Sequence, residues 1–456
     1  MTGRGLGAGQ TETLAEPVRA TPVPDDAELT ALAAWVPHQR WFPAKGSGAS
    51  LERVAVVELT DPLGEAEVRL HLLALPTGQV LQVPTALRPG SPPAEPFVGT
   101  IGVVPGGVLV DGPHDAAFVR AWLAAAQHEG RPPSPPGPAA VIGGEQSNTS
   151  VLLPQADPPG ILKVFRTVTA GPNPDVEVPL ALTHAGWSGV PRPLAWLAGT
   201  WPAGGSHVVG HLGVLSALVA GARDGFELAC EHARAGTDFG ALATDLGRTT
   251  AQMHRALRTA LPLGHAVGPR LATARSAGVH RVVRTLRERA RATVERVPEL
   301  AARAEAITVA YDAVDRLASV PPLQRVHGDY HLGQVLRSAD GWYVLDFEGE
   351  PLAAAEDRTR PDLALRDLAG MLRSLDYAAA VGGASDARWL TTARESLIAG
   401  YHEENRGAGD EAVLAVLLPA LELDKALYEV VYESGNRPAW VPIPLAGVDR
   451  LLADLA

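Results

Sequence analysis

The stretch from Val326 to Pro351, VHGDYHLGQVLRSADGWYVLDFEGEP, constrains this chain more than any other. Two short apolar runs, Val335-Leu336 and Tyr343-Val344-Leu345, flank the turn-forming residues Ser338-Ala339-Asp340-Gly341, so the spacing predicts a β-hairpin. An acid stands at the polar end of each arm. Asp329 precedes the first strand, followed by His331 and then Gln334, and Asp346 ends the second strand in Asp346-Phe347-Glu348. Closing the hairpin brings both ends to one edge.

Two acids and an amide at one edge are the parts that phosphoryl transfer asks of a protein. The reaction needs little covalent help, so the work is positioning and charge neutralisation by hard oxygen ligands for a magnesium ion and one oriented base. In this layout Asp329 is the candidate base, and Gln334 and Asp346 are the candidate magnesium ligands. An ordinary polar hairpin accounts for each residue singly; their joint spacing favours the chemical reading.

With 456 residues, 46% of them hydrophobic, the chain has material for two or three domains with sizeable cores. Its 39 Lys and Arg against 51 Asp and Glu leave a net charge of −12, so neither nucleic acid nor a membrane is an expected partner, and a small neutral or cationic substrate fits better. A single cysteine, Cys230, excludes an internal disulfide framework and suits a reducing cytosol. The N-terminal residues lack the apolar core of a signal peptide, and no uninterrupted apolar run reaches about 18 residues. A soluble cytoplasmic protein is expected.

In chain order, residues 1–25 read as a disordered tail. A helix then begins at Asp25 with Leu29, Leu32, Ala33 and Val36 on one face, and strands at Arg53–Leu59 and Glu67–Leu75 form a small sheet against it. Between them, Arg40-Trp41 beside Lys45 reads as a stacked cation and aromatic closing a domain edge, in preference to a ligand contact. Residues 114–127 read as a helix, and the Pro-rich Arg131–Pro138 as a stiff connection. The small and polar residues of Val141–Leu153 form a turn whose backbone N–H groups can approach phosphates, a weak signal alone. It gains weight from Lys163, set in the apolar strand Ile161–Phe165 as a phosphate-pairing lysine is. A carboxylate partner is expected on the next helix: Glu177, with Asp175 as cap or reserve.

Residues His207–Val219 are expected to cross from a small lobe to a large one, offering backbone to adenine. Beyond Asp224 the pattern is helical, with helices at 225–236, 238–257, 281–297 and 299–318 and His254 packed in the core. In the helix after the hairpin, Asp367 either orients the catalytic loop through backbone N–H groups or is a solvated charge, and Arg366 either faces the acids or is solvated too. In the last helix Tyr428 and Tyr432 share a face; with Glu433, Asn436 and Trp440 they form either a sugar-stacking platform or an aromatic core stripe.

Taken together, Gln39-Arg40-Trp41, Glu145–Ser150, Asn173-Pro174-Asp175, His327–Gln334, Leu345–Pro351, Arg366–Arg373 and Tyr428–Pro444 resemble the actinobacterial maltokinases, relatives of the aminoglycoside phosphotransferases. The likeness covers nearly the whole chain after the tail. It implies an α+β, eukaryotic protein kinase-like two-lobe fold, with an N-terminal cap domain at 26–95, a small lobe at 96–206 and a mostly helical C-lobe at 207–456. It also implies ATP and Mg2+ as cofactors, phosphorylation of the anomeric hydroxyl of maltose to maltose 1-phosphate for α-glucan synthesis, and a trehalose synthase as partner. Glucosamine and aminoglycosides are the alternative acceptors, and a pseudokinase scaffold the non-enzymatic one. Carried onto this chain, the resemblance makes Asp329 the base, Gln334 and Asp346 the metal ligands and Lys163 the phosphate contact. Gln146, Ser147, Asn148, Thr149 and Ser150 become the phosphate cover, and His331, Glu348, Tyr428, Tyr432, Arg437 and Trp440 the sugar side. The chain departs from the family at Gly213–Leu218, where a Gln-Glu pair is expected, and at Gly435, where a bulkier residue is usual. The second departure bears on which sugar is taken.

Overall fold

The computed structural model describes residues 13–22, 26–134, 137, 139–143, 147–263, 271–349, 358–405 and 411–454, with side chains left undescribed in 271–277 and 411–412. The described residues divide into two compact units, one within 1–181 and 191–219, the other within 182–190 and 220–456.

The first unit opens with β1 (Val18–Arg19) and α1 (Ala27–Trp35), whose first turn is capped by the Asp26 carboxylate accepting from the Leu29 N–H at 3.0 Å. Strands β2 (Glu52–Leu59), β3 (Glu67–Ala74), β4 (Val80–Pro89), β5 (Thr100–Val104) and β6 (Gly107–Asp111) form an antiparallel sheet in the order β2-β3-β4-β6-β5. Helix α2 (Ala116–Ala125) leads to β7 (Gln127–His128), β8 (Ala140–Val141), β9 (Thr149–Leu153), β10 (Gly160–Val164), β11 (Thr167–Val168), α3 (Pro174–His184), β12 (Pro193–Ala203) and β13 (Ser206–Ala217). The second sheet runs β1-β12-β13-β10-β9-β8 with β7 also on β12, while β11 joins the first sheet through β4.

Alternation along the strands explains how the layers stack. On β3, Val68, Leu70 and Leu72 face a core shared with Phe118 and Trp122 of α2 and with Val151, Leu162 and Val164 of the second sheet. Arg69 and His71 point the other way, where both meet Glu28 of α1. Gln82 on β4 donates to the carbonyls of Phe165 at 2.7 Å and Leu212 at 2.8 Å, joining the two sheets inside the core.

Several expectations change here. The capping sheet does not end at 95, because the Pro- and Gly-rich residues after β4 are a connection to β5 and the sheet closes at Asp111. Residues 13–22 are not a disordered tail: β1 pairs with β12, Thr21 exchanges backbone hydrogen bonds of 2.8 and 2.9 Å with Val56, and the Thr13 carbonyl accepts from the Trp196 indole at 3.0 Å. Of the segment His207–Val219, residues 207–217 are an internal strand, and the chain passes to the second unit after Val219. Gly204 and Gly205, at φ +56° and +79°, turn β12 into β13 through a two-residue loop that only glycine adopts without strain. Trp41 does stack on a cation, yet the cation is Arg166, 4.5 Å above the ring, and Arg40 donates to the Ile142 carbonyl instead.

The second unit contains β14 (Arg223–Asp224), α4 (Gly225–Ala235), α5 (Gly240–Ala260), α6 (Leu271–Arg296), α7 (Ala304–Asp315), β15 (Val335–Ser338), β16 (Gly341–Val344), α8 (Leu365–Gly382), α9 (Ala387–Glu404), α10 (Glu411–Asn436) and α11 (Pro442–Asp454). The expected hairpin is β15-β16, Ser338 opposite Gly341, with β14 as a third strand. Helix α7 begins later than its periodicity implied because Pro298–Arg303 forms a 3-10 turn first. Among the described residues, no helix is long and apolar enough to cross a membrane.

Candidate active site

In the second unit the hairpin ties its two polar ends together. The Leu345 N–H donates to the Gln334 carbonyl and the Gln334 N–H to the His331 carbonyl, each at 2.9 Å. Gln334 Nε2 and Asp346 Oδ2 then lie 3.5 Å apart. Asp346 stands at φ +57°, alone among the described non-glycine residues, a conformation that costs on the order of 1 kcal/mol and that the surrounding loop imposes. In that contact the amide nitrogen faces the carboxylate; with the amide turned over, the Gln334 carbonyl oxygen and the Asp346 carboxylate would be hard oxygen donors of the kind a magnesium ion takes. Glu348 follows on the same loop, half-buried.

Asp329 faces Lys425, whose Nζ is 3.4 Å from Oδ1, and His331, whose Nε2 is 3.9 Å from Oδ2. The His331 orientation is fixed from its other side, where Nδ1 accepts from the Gly333 N–H at 3.1 Å. Beneath this loop lies Asp367. Its carboxylate accepts from the N–H groups of His327 at 2.9 Å and Gly328 at 3.0 Å, and its Oδ2 lies 3.0 Å from His254 Nε2. His254 is itself held 3.0 Å from the Tyr401 hydroxyl through Nδ1. Burial alone would raise the Asp367 pKa, but the His254 hydrogen bond and the nearby charge hold it below the usual carboxylate range. Asp367 therefore orients the His327–Asp329 loop through backbone N–H groups, and His254 is a core histidine that also holds the residue doing the orienting. His327 completes the link by bonding the Leu345 carbonyl through Nε2 at 2.8 Å. Arg366 pairs with Asp362 and Asp424, at 2.7 Å each, and not with Asp329 or Asp346.

Helix α10 supplies the aromatic side. Tyr428 and Tyr432 lie with ring centroids 6.4 Å apart and planes at 21°. Arg437 sits 5.7 Å over Tyr432 and 4.3 Å over Trp440, fixed by two hydrogen bonds to buried Glu433 at 2.9 and 2.7 Å. Lys425 Nζ lies 4.8 Å above the Tyr428 ring while touching Asp329, so the candidate base and the aromatic run are contiguous. Sequence reasoning missed Lys425. Its signal was the one basic residue of a helix whose other charges are acidic, three residues before Tyr428.

In the first unit, Lys163 pairs with Asp175, the residue held in reserve beside Glu177. The phosphate loop differs from expectation too. Asn148 and Thr149 are buried, and both bond Arg166: the Asn148 side chain accepts from its N–H at 3.2 Å and the Thr149 hydroxyl from its Nε at 2.8 Å. Arg166, which sequence reasoning also missed, is fixed by Asp111 at 2.8 and 2.9 Å. Asn148 and Thr149 thus brace the loop from inside, leaving Ser147 exposed and Ser150 half-buried, while Gln146 lies outside the described residues.

The Maltokinase N-terminal cap domain model matches residues 35–115, and the Phosphotransferase enzyme family model matches residues 231–416. A glucosamine kinase of Mycolicibacterium smegmatis is 30% identical over 329 residues, 68% of this chain and 78% of that protein. A glucosamine kinase of Streptacidiphilus jiangxiensis is 32% identical over 305 residues, 62% of this chain and 66% of that protein. Among solved structures, one glucosamine kinase crystal form superposes with a TM-score of 0.66 over 94% of this chain and 100% of its own, at 24% identity. A glucosamine kinase holding glucosamine, ADP and inorganic phosphate gives 0.63 over 94% and 100%, also at 24% identity. At that identity the superpositions speak to fold.

Proposed function

The chain belongs to the phosphotransferase family of kinases that carry the maltokinase cap domain, and from that premise we propose that it transfers the γ-phosphoryl group of ATP to the anomeric hydroxyl of maltose. The product is maltose 1-phosphate, made in the cytoplasm for α-glucan synthesis, with a trehalose synthase as the candidate partner. Asp329 receives the hydroxyl proton as the sugar oxygen attacks phosphorus. Gln334 and Asp346 hold magnesium, which when bound neutralises the phosphate charge. Lys163, steadied by Asp175, contacts the phosphates.

The observation that carries maltose over other acceptors is the α10 platform. Two near-parallel tyrosine rings suit the C–H faces of a sugar, and Arg437 and Trp440 extend the surface beyond one ring. The names of the relatives at 30 and 32% identity favour a second reading, glucosamine as acceptor at the same base.

ADP release with magnesium and ATP, measured against maltose, glucosamine, glucose, an aminoglycoside and no sugar, tests both. Turnover with maltose, lost in Asp329→Asn by about a thousandfold or more, is the expected result. Preference for glucosamine replaces the acceptor and keeps the base; no turnover with any of them removes the kinase reading.

A further inference from the structure

We infer that His211 is a positioning residue for the Lys163–Asp175 pair, and so for the phosphates of ATP; the inference rests on the kinase reading above. His211 lies within β13, 2% exposed, and its Nδ1 accepts a hydrogen bond of 2.9 Å from the Asn173 N–H. An accepting Nδ1 carries no proton, so the ring proton resides on Nε2. Burial pushes the imidazole down to about 4, with the Thr13 backbone acting weakly in the opposite sense, so the ring stays neutral and Nδ1 stays an acceptor around neutral pH.

Asn173 is the residue on which α3 starts. Its side-chain oxygen accepts from the Asp175 N–H at 2.8 Å, and its carbonyl accepts from the N–H groups of Val176 and Glu177 at 3.0 Å each. A cap held in place therefore places Asp175 two residues later. The sequence leaves few other ways to hold it: Asn173 lies between Pro172 and Pro174, neither of which has an N–H. The Asn173 amide is the single backbone donor of this tripeptide, and His211 receives it. The approach is close all along the segment. Gly171 donates to the Val209 carbonyl at 2.8 Å, and a Cβ on Gly210 would lie 2.2 Å from the Thr169 carbonyl oxygen, so β13 can receive the chain at 210 only with glycine.

The other half of the pair is registered on the same strand. Lys163 of β10 stands opposite Val214 of β13, three residues beyond His211. One strand thus locates the lysine through its ladder and the carboxylate through an imidazole. A neutral residue thereby sets how the phosphate-contacting lysine is aimed.

The test compares His211→Asn, whose side-chain oxygen reproduces the position of Nδ1, with His211→Gln, whose amide reaches instead to the Nε2 position. ATP affinity is read by calorimetry on enzyme without sugar, alongside KM for ATP, KM for sugar and the thermal midpoint. Glutamine is expected to weaken ATP binding and raise KM for ATP about tenfold, with the sugar KM within about twofold, and asparagine to restore most of the loss. Equal ATP affinities for the two variants, or a parallel rise of both KM values, would overturn the role of His211. If the wild type itself binds no ATP, the kinase reading fails and this inference with it; tight wild-type binding with indistinguishable Asn and Gln variants sinks His211 alone.

Discussion

Asp367, buried under the candidate catalytic loop, and Glu429, half-buried on the helix that carries the aromatic pair, belong to the same unit, and their surroundings push them in opposite directions. Asp367 gathers three partners, two of them backbone N–H groups that cannot swing away. Glu429 has a guanidinium instead: Arg373 Nε donates to it at 2.9 Å, while another arm of the same arginine goes to Asp376. Burial dominates there and raises the Glu429 pKa, despite Arg373 and Lys425, whereas Asp367 stays below the usual range. A buried carboxylate is kept charged by the number and fixity of its donors more than by one opposite charge.

The largest effect should follow from breaking the better-served member. Asp367→Asn turns an amide N–H toward one of the donors and strands at least one buried group, which costs about 3 kcal/mol in the stability of the second unit. It also releases the His327–Gly328 backbone, so kcat should fall by about a hundredfold or more while nucleotide affinity changes little. Denaturant unfolding and steady-state kinetics measure the two parts. A variant as stable and active as the wild type would mean that the loop holds its own shape and that Asp367 is a bystander.

The same contrast sorts what the sequence could tell. The hairpin and the meeting of Gln334 with Asp346 were legible because their relation is local: a two-residue turn brings residues 12 apart to one edge. Asp367 was half legible, since its helix could be read but its target, 40 residues upstream, could not. Lys425, 96 residues from Asp329, left only the trace of a single basic residue in a helix whose other charges are acidic. Asp175 and Glu177 share the first turn of α3, and choosing between them requires knowing where His211 and Asn173 fix that turn. The end of the cap was misjudged because proline and glycine mark a long strand connection as readily as a domain boundary. The pairing of β1 with β12 spans about 180 residues and is invisible to periodicity.

A smaller effect separates the two carboxylates by the sign of their pH dependence. Asp367, with its pKa lowered in the fold, gives stability that is present above the ordinary aspartate value and lost as pH falls through the folded one. Glu429, with its pKa raised, penalises the native state once pH climbs from the ordinary glutamate value through the folded one. Glu429→Gln should therefore lie within about 1 kcal/mol of the wild type and gain on it as pH rises, while the deficit of Asp367→Asn shrinks on acidification. Urea unfolding of both variants from about pH 3 to about pH 7 checks the signs. Parallel slopes would show that the two environments do not differ as described.

The smallest effect lies where the same chemistry is left in water. Arg303 grips Asp449 through Nε and Nη2 at 2.6 and 2.8 Å, a geometry as good as any in the interior, and holds the carboxyl below its usual range. The side chains are 27% and 55% exposed, so solvent screens the pair and the unfolded chain gives up little by losing it. Asp449→Asn should cost less than about 1 kcal/mol and less still in high salt. If its loss matched that of Asp367→Asn, the bidentate geometry itself would set the strength of these interactions, and the distinction drawn between fixed buried donors and a single guanidinium would not stand.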